Sequence, residues 1–320
     1  MEILRDPAAE MSSSAPSRND MTNESVCFLG LRFDTGSIEQ AACDILARVQ
    51  GRFKYIVTPN VHHMVKMLDD PDTLRPLYEG AWRVFCDSRV LSRLAGVSGL
   101  SLPVITGSDL TADLIVRAAK DGLTIAIIGS TGAACARLQE KYPGLKVEAY
   151  GPRMGFIKSE LEVRKCVDFV VKTQAPLVFL AVGRPQQEIL ASRIAAHPQA
   201  RGVGLCVGAS IDFLTGAQRR APAWVQNVGL EWSYRLFSDP KRFARRYLIE
   251  SPRIFYFVCL EWKKGMSGVE LRARVGSKSG ASRIKQLCTA AVARRELPGR
   301  AAGAKTDLAP AGSTKPSQFP

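Results

Sequence analysis

The chain has little of what metal centres and membrane spans require. It contains three histidines in 320 residues, and its eight cysteines form no Cys-x-x-Cys pair. Without such a pair or a Cys/His cluster no metal site is indicated. Most of the cysteines lie in apolar runs, so we expect them to be small buried side chains in a reducing compartment. No stretch of about 18 uncharged apolar residues occurs, which argues against a membrane span.

The two ends of the chain lack the periodic apolar pattern of folded elements. Residues 1–24 carry acids, Ser and Asn instead of the basic and then apolar stretch of a signal peptide, so we expect a disordered segment on a cytoplasmic protein. Residues 265–320 are rich in Gly, Ser, Ala, Lys and Arg. They are expected to form a mostly disordered basic tail, with a weak helical pattern at residues 283–295.

Positive charge is concentrated in the C-terminal third of the chain. The net charge is +14, and residues 216–264 hold ten Lys or Arg against four Asp or Glu. Residues 265–320 hold ten against three. Such regional charge favours an anionic partner, either lipid phosphate or nucleic acid. For the tail beyond residue 265, a solvated basic segment without a partner is the alternative.

Short apolar runs alternate with helical patterns through the middle of the chain. Strands are predicted at residues 55–57, 83–86, 124–128, 146–149, 177–181 and 204–207, and helices at 38–49, 61–67, 109–120, 133–142, 160–173 and 187–197. This alternation predicts an α/β fold, a Rossmann-like and mostly parallel sheet flanked by helices, over residues 25–215. A basic helical appendage is expected at residues 216–264.

Polar residues and glycines follow five of the predicted strands. Because ligands of open α/β sheets sit at the carboxyl ends of the strands, these residues are expected to share one crevice. The candidate substrate-binding residues there are Thr58, Asn60, Gly129, Thr131, Gly132, Gly183, Gln186, Gln187 and Glu188.

Two interpretations stay open for the glycine turn at residues 129–132. A glycine turn that opens a helix suits a phosphate, because free backbone N–H groups point outward there. A tight turn that merely needs glycine fits equally well. The full Gly-x-Gly-x-x-Gly pattern is absent, which disfavours an NAD-dependent oxidoreductase.

The polar side chains at the other strand ends also have alternative interpretations. Gln186 and Gln187 carry donors and acceptors that suit the hydroxyl and acetamido groups of a sugar. Glu188 either contacts ligand or complements the N-terminus of the helix that begins there. Thr58 and Asn60 either line the pocket or cap the following helix.

Asp87 ends the run WRVFCD and is the candidate catalytic residue. A carboxylate at the mouth of a buried strand can serve as a general base, because partial burial raises its pKa toward neutrality. The alternative is an N-cap for the helix that starts near Ser88, and the residues alone favour this plainer interpretation.

The segment after Pro240 combines aromatic and basic residues at helical spacing. Asp239 and Pro240 are a typical cap and first-turn pair. Phe243 and Tyr247 fall four apart on one face, and Arg242 and Arg246 fall four apart on another, with Arg245 beside them. An apolar stripe edged by arginines suits an anionic membrane or a pyrophosphate. An amphipathic helix packed on its own domain is the alternative.

Several of these motifs occur together in one known family. TPN, the strand-terminal Asp87, ITGSDL, GRPQQE, GASIDFLTGAQRRAPAW and the segment GLEWSYRL with the later DP and RR resemble the WecG/TagA/CpsF family of bacterial glycosyltransferases, over about residues 26–258. The resemblance implies inverting transfer of N-acetylmannosamine, its uronic acid or glucose from a UDP-sugar. The acceptor it implies is a sugar on an undecaprenyl pyrophosphate carrier at the inner face of the membrane. It implies no cofactor and no required metal.

The resemblance also implies roles for individual residues. Asp87 matches the base that deprotonates the acceptor hydroxyl, Thr58 and Asn60 match neighbouring pocket residues, and Gln186 or Gln187 matches a donor-binding glutamine. The arginines that match the basic appendage, and that would neutralise pyrophosphate charge and reach the membrane, are Arg235, Arg242, Arg245 and Arg246.

Two departures from the family pattern bear on substrate identity. Ser88 follows Asp87 where the family usually has glycine, and Val104 and Ile105 precede the Gly-Ser-Asp motif where an arginine is usual. These changes point to a different donor sugar or a different anion partner for its phosphates.

The sequence leaves two questions about partners open. A nucleic-acid-binding α/β protein is the rival hypothesis, but Trp224, Trp232 and Tyr234 have the spacing of helix packing and not of base stacking. Homo-oligomerisation is also open, because self-association and membrane docking would compete for the same apolar C-terminal face.

Overall fold

The computed structural model describes residues 24–263. The predicted disordered segments at 1–24 and 265–320 and the helical pattern at 283–295 therefore lie outside the described residues, apart from position 24.

The described chain begins with an antiparallel hairpin that the sequence analysis did not predict. Its strands are β1 (Ser25–Phe28) and β2 (Leu31–Asp34). Leu29 and Gly30 form the two-residue turn with φ of 51° and 72°, the left-handed backbone that such hairpins need. The turn is held by Arg75, whose Nη1 donates to the Gly30 carbonyl at 2.7 Å.

A six-stranded sheet forms the centre of the protein. Its strands are β3 (Lys54–Val57), β4 (Arg83–Val84), β5 (Thr124–Ile128), β6 (Lys146–Tyr150), β7 (Leu177–Leu180) and β8 (Val203–Cys206). They are ordered β4-β3-β8-β7-β5-β6, and every neighbouring pair is parallel, which confirms the predicted parallel sheet. β4 is two residues shorter than predicted, although the Phe85 N–H still donates to the Val57 carbonyl at 3.0 Å.

Helices cover the sheet and continue into the appendage. They are α1 (Ile38–Leu46), α2 (Val61–Asp69), α3 (Pro71–Glu79), α4 (Arg89–Val97), α5 (Gly107–Lys120), α6 (Gly132–Lys141), α7 (Glu160–Thr173), α8 (Gln186–Ala196), α9 (Ser210–Leu214), α10 (Ala223–Val228), α11 (Glu231–Ser238), α12 (Pro240–Ala244) and α13 (Arg253–Lys263). A π-helical turn, Arg245–Glu250, separates α12 from α13. All six predicted helices are present.

The helices pack on both faces of the sheet, and this placement opens a crevice. Met64 of α2 and Leu190 of α8 belong to the core on one face, whereas Leu114 of α5 and Ile211 of α9 belong to the core on the other. The chain therefore leaves the neighbouring strands β3 and β8 toward opposite faces. A crevice forms between their carboxyl ends, as at other topological switch points.

The appendage folds back over that crevice. Ile254 and Val258 of α13 are 1% and 2% exposed and belong to the same core as α2. Arg253 Nη1 pairs with Asp69 Oδ2 at 2.6 Å, and the Trp262 indole N–H donates to the Ser98 hydroxyl at 2.8 Å. The appendage is thus fixed to the sheet domain by buried apolar contacts and by polar contacts at their edge.

Candidate active site

A cleft of about 510 Å³ lies at the carboxyl ends of β3, β4, β7 and β8, with the appendage as its outer wall. The predicted site residues that line it are Thr58, Asn60, Asp87, Gly183, Gln187, Arg235, Arg242 and Arg246. The predicted site residues that lie outside its lining are Gly129, Thr131, Gly132, Gln186, Glu188 and Arg245. The structure thus brings together strand ends and appendage arginines that are far apart in sequence.

Asp87 is not the cap of the helix that follows it. The Ser88 hydroxyl accepts the Leu91 N–H at 3.2 Å and is the N-cap of α4, so the capping interpretation of Asp87 is wrong. The Asp87 backbone N–H donates to the Pro59 carbonyl at 3.1 Å, which ties this residue to the end of β3. Because Ser88 does the capping, the Asp87 carboxylate is available to the cleft.

The surroundings of Asp87 favour its protonated form. Burial raises the pKa of Asp87 to about 7, Glu231 and Asp109 also raise it, and Arg235 and Arg220 lower it. Near neutral pH the group therefore exists in both protonation states, as a general base requires.

Two ion pairs flank this carboxylate. Arg235 Nη2 contacts Glu231 Oε1 at 2.6 Å, and Arg220 Nη1 contacts Asp109 Oδ1 at 2.6 Å. Arg220 was not among the predicted site residues, although it stands in the RRAPAW segment that carries the family resemblance. Because each arginine already has a carboxylate partner, the Asp87 charge is only partly compensated.

Asn60 and Thr58 shape the start of the cleft through backbone contacts. The Asn60 Oδ1 accepts the N–H groups of His62 and His63, and the His63 ring accepts the Asn60 N–H, so Asn60 caps α2 while lining the cleft. Thr58 packs against Gly107 so closely that a Cβ there would lie 2.6 Å from the Thr58 hydroxyl. The glycine of the Gly-Ser-Asp motif therefore lets α5 begin next to the end of β3.

Gln187 uses both ends of its amide within the protein. Its Oε1 accepts the Gly208 N–H at 3.0 Å, and its Nε2 donates to Glu188 Oε1 at 2.8 Å. Glu188 is 2% exposed. Burial raises its pKa to about 7, although the hydrogen bond from Gln187 acts to lower it. The pair fixes the turn after β8, and Glu188 lies beneath the cleft.

The glycine turn after β5 lies apart from the cleft. A Cβ on Gly129 would lie 2.6 Å from Val182 and 2.9 Å from the Ala181 backbone, which explains this glycine as a tight-turn requirement. Gly132 faces open space, and Thr131 caps α6 by accepting the Ala134 N–H. The interpretation of α6 as a phosphate site therefore stays open.

The appendage arginines divide into two groups. Arg242 and Arg246 line the cleft and stack over Phe243 and Tyr247, each 5.3 Å from the ring centroid. Arg245 points away, since its side chain is 83% exposed and contacts Glu250 at 3.3 Å. Phe243 and Tyr247 stack at 5.7 Å, which confirms that they share a face.

Two further cleft residues were missed by sequence reasoning. Arg184, between Gly183 and a cis Pro185, donates from Nη2 to the imidazole of His62. His62 is 5% exposed and lines the cleft. Arg184 could have been identified from the sequence, because it is a cation between a glycine and a proline at the end of a predicted buried strand.

The burial of Asp87 makes a prediction about stability. Its raised pKa means that the native state resists ionisation of this group, so the wild type loses stability as the pH rises above the unfolded pKa and through about 7. We expect Asp87→Asn to raise the free energy of unfolding at about pH 8 and to change it little at about pH 4. Urea denaturation at both pH values measures the difference.

The control for this prediction is Asp109→Asn. Burial would raise the pKa of Asp109, but hydrogen bonds from Arg220 and Thr106 lower it overall. This substitution should therefore destabilise the protein at about pH 8. Equal effects of the two substitutions would contradict the assignment of Asp87 as the carboxylate that resists ionisation.

A comparison with known protein families agrees with this geometry. The model of the glycosyl transferase WecG/TagA/CpsF family matches residues 26–268, which cover both the sheet domain and the described appendage. Members of this family are glycosyltransferases of cell-surface polysaccharide synthesis. The chain belongs to the WecG/TagA/CpsF family of glycosyltransferases.

Proposed function

We propose that the protein is an inverting glycosyltransferase that uses a UDP-sugar donor. The donor sugar is of the N-acetylmannosamine type, its uronic acid or glucose, and the acceptor is a sugar on undecaprenyl pyrophosphate in exopolysaccharide or other cell-surface polysaccharide synthesis. The observation that carries the proposal is Asp87, a carboxyl with a pKa of about 7 at the strand ends of a cleft lined by arginines.

The proposed reaction is a single displacement. The Asp87 carboxylate takes the proton of the acceptor hydroxyl while that oxygen attacks the anomeric carbon of the donor. The bond from the anomeric carbon to the UDP oxygen breaks, UDP leaves from the opposite face, and the configuration inverts. The negative charge that develops on the leaving diphosphate is stabilised by guanidinium groups, for which Arg235, Arg242 and Arg246 are the proposed sources.

Metal independence is part of the proposal. Guanidinium groups that lie in the cleft before the reaction can supply the charge stabilisation that a divalent cation supplies in other glycosyltransferases. Within residues 24–263 no group of three or more His, Cys, Asp or Glu is arranged to hold a metal ion.

Nucleic-acid binding is the weaker candidate. Trp232 faces the cleft and packs against Tyr247 at 6.2 Å, so it does not form a stacking surface on an open sheet. Both sheet faces are covered by helices. Binding to RNA or DNA that persists at physiological salt would support a nucleic-acid-binding function.

Peripheral binding to the inner face of the cytoplasmic membrane is also proposed. Large apolar side chains are exposed in the appendage, among them Phe237 at 81%, Ile249 at 65% and Leu248 at 60%. Exposed cations lie in the same segment, and its net positive charge suits a surface of anionic lipid. In the part of the chain that the structure covers, no helix has the length and apolar character of a membrane span.

The reaction is tested by UDP release from a panel of UDP-sugars, with a synthetic lipid pyrophosphate-linked sugar as acceptor. Release is expected to require both substrates and to survive a chelator. Asp87→Asn should reduce turnover by about 100-fold or more, since a lost general base typically costs that much. Asp113→Asn is the matched control, because it removes a carboxylate of α5 that pairs with Arg117 and does not line the cleft.

Turnover by Asp87→Asn at the wild-type rate would remove Asp87 from the mechanism. UDP release that occurs only with added divalent cation would contradict the proposed role of the arginines. No release from any donor would count against the proposed reaction itself.

Membrane binding is tested by flotation with vesicles. Wild-type protein should bind vesicles that contain phosphatidylglycerol and bind pure phosphatidylcholine weakly. Leu248→Asp combined with Ile249→Asp should reduce binding several-fold, because it replaces apolar surface with negative charge. Val116→Asp is the control, since Val116 is 53% exposed on α5 outside the appendage.

Unchanged flotation of the double variant would refute the proposed contact surface. If the wild-type protein is oligomeric in solution and does not bind anionic vesicles, we would assign the same apolar residues to self-association.

A further inference from the structure

Two partly buried arginines of the described chain face the cleft without a carboxylate in ion-pairing distance. Arg184 comes from the turn after β7, and Arg246 comes from the π-helical turn of the appendage. Within residues 24–263 neither guanidinium lies within ion-pairing distance of an Asp or Glu, unlike Arg235 with Glu231 and Arg220 with Asp109. Arg242 also lines the cleft without an ion pair, but it is exposed, whereas Arg184 and Arg246 are partly buried.

Arg184 is held by an imidazole. Its Nη2 donates to His62, with Nδ1 as the nearer ring nitrogen, and the other ring nitrogen, Nε2, lies 2.6 Å from Glu250 Oε2. This arrangement fits a neutral imidazole that donates from Nε2 to Glu250 and accepts at Nδ1 from Arg184. Burial, followed by the charges of Arg184 and Arg246, lowers the pKa of His62 to about 4, in agreement with the neutral form.

Glu250 does not neutralise Arg184 directly. Its second oxygen, Oε1, contacts Lys66 at 3.0 Å and Arg245 at 3.3 Å. The carboxylate is therefore engaged by two other cations, and its link to Arg184 passes through the uncharged ring of His62. This link orients the Arg184 guanidinium but leaves its charge for another partner.

Arg246 also retains unused binding capacity. Its Nε is buried and has no hydrogen-bond partner among the described residues. Both arginines line the cleft; burial lowers the pKa of Arg246, and the charge of Arg184 lowers it further. Like charges held together in a partly buried site are costly, and a bound anion relieves that cost.

We propose that Arg184 and Arg246 together form a diphosphate-binding pair, with His62 as the positioning residue that orients Arg184. Two planar guanidiniums from opposite walls suit a ligand with several anionic oxygens. Val104, which also lines the cleft, brings no cation to it, whereas Arg184 is a cation that the sheet domain supplies there.

The ligand class is a diphosphate ester, and this inference rests on the proposed function. Two substrates of that reaction carry the group, the nucleotide donor and the lipid pyrophosphate of the acceptor. Binding can be measured for each source separately and without turnover, with UDP as one probe and farnesyl pyrophosphate in neutral detergent micelles as the other.

The test is calorimetric titration of both probes into wild-type protein and single variants. Arg184→Gln and Arg246→Gln should each weaken binding of at least one probe about tenfold or more, the usual loss for a charge-assisted contact to phosphate. The probe that loses affinity identifies the bound diphosphate. Arg193→Gln, on the exposed face of α8, is the matched control and should bind as wild type does.

His62 is tested by a double-mutant cycle. His62→Phe should weaken binding of the same probe, while His62→Gln, which can still accept from Arg184 and donate to Glu250, should retain more of it. The His62→Phe and Arg184→Gln double variant should bind no more weakly than Arg184→Gln alone, because both changes remove one interaction. Additive losses would show that His62 acts only on general stability.

The remaining outcomes separate the inference from the proposed function. If wild-type protein binds a probe and Arg184→Gln binds it equally well, the pair is refuted while the proposed reaction stands. If wild-type protein binds neither diphosphate, both fail. Circular dichroism of each variant checks that it is folded. Arg246→Gln tests the pair with a substitution in a different element from the one that carries Arg184.

Discussion

Docking of the appendage onto the sheet domain is the interaction on which the candidate site depends. Ile254 and Val258 enter the core beside α2, and Glu250 is held there by His62 and Lys66. These contacts place the π-helical turn over the carboxyl ends of β3 and β8. Without this wall the strand ends would form an open crevice, and neither Arg246 nor Glu231 would face Asp87.

The closed arrangement places charges in a partly desolvated space, where unpaired charge is expensive. Two cleft acids are paired, Glu231 with Arg235 and Asp109 with Arg220. Asp87 is the exception among the acids, and burial raises its pKa to about 7. A poorly compensated carboxyl among paired charges can take a proton near neutral pH, which is the chemistry that the proposed reaction requires.

The fold could be predicted because its signals are local. Buried parallel strands appear in the sequence as short apolar runs, and β5 was found at its observed bounds for this reason. Phe243 and Tyr247 could be paired because helical spacing alone brings them together. The hairpin at Leu29 and Gly30 was missed because its turn lacks the usual Asn-Gly or Asp-Gly signal.

The site was predicted less completely because it depends on contacts between distant segments. Arg184 and His62 are 122 positions apart, so no local pattern could reveal that they form a hydrogen bond. Ser88 and Asp87 are adjacent and both are good capping residues, and only the backbone geometry shows which of them caps α4. Gln187, a candidate donor-binding residue, lines the cleft, and its hydrogen bonds to Gly208 and Glu188 also join distant and neighbouring residues in a way that no local pattern showed.

We propose that Asp87, whose pKa is raised by burial, accepts the proton of the acceptor hydroxyl. The most direct measurement is kcat/KM for the acceptor from about pH 5 to about pH 9, since this profile reports the pKa of the essential base in the free enzyme. The account predicts an ascending limb with a midpoint near the Asp87 pKa of about 7, and the same limb in Glu188→Gln, which removes the other carboxyl of similar pKa. A flat profile across this range, or a limb that disappears in Glu188→Gln, would contradict it.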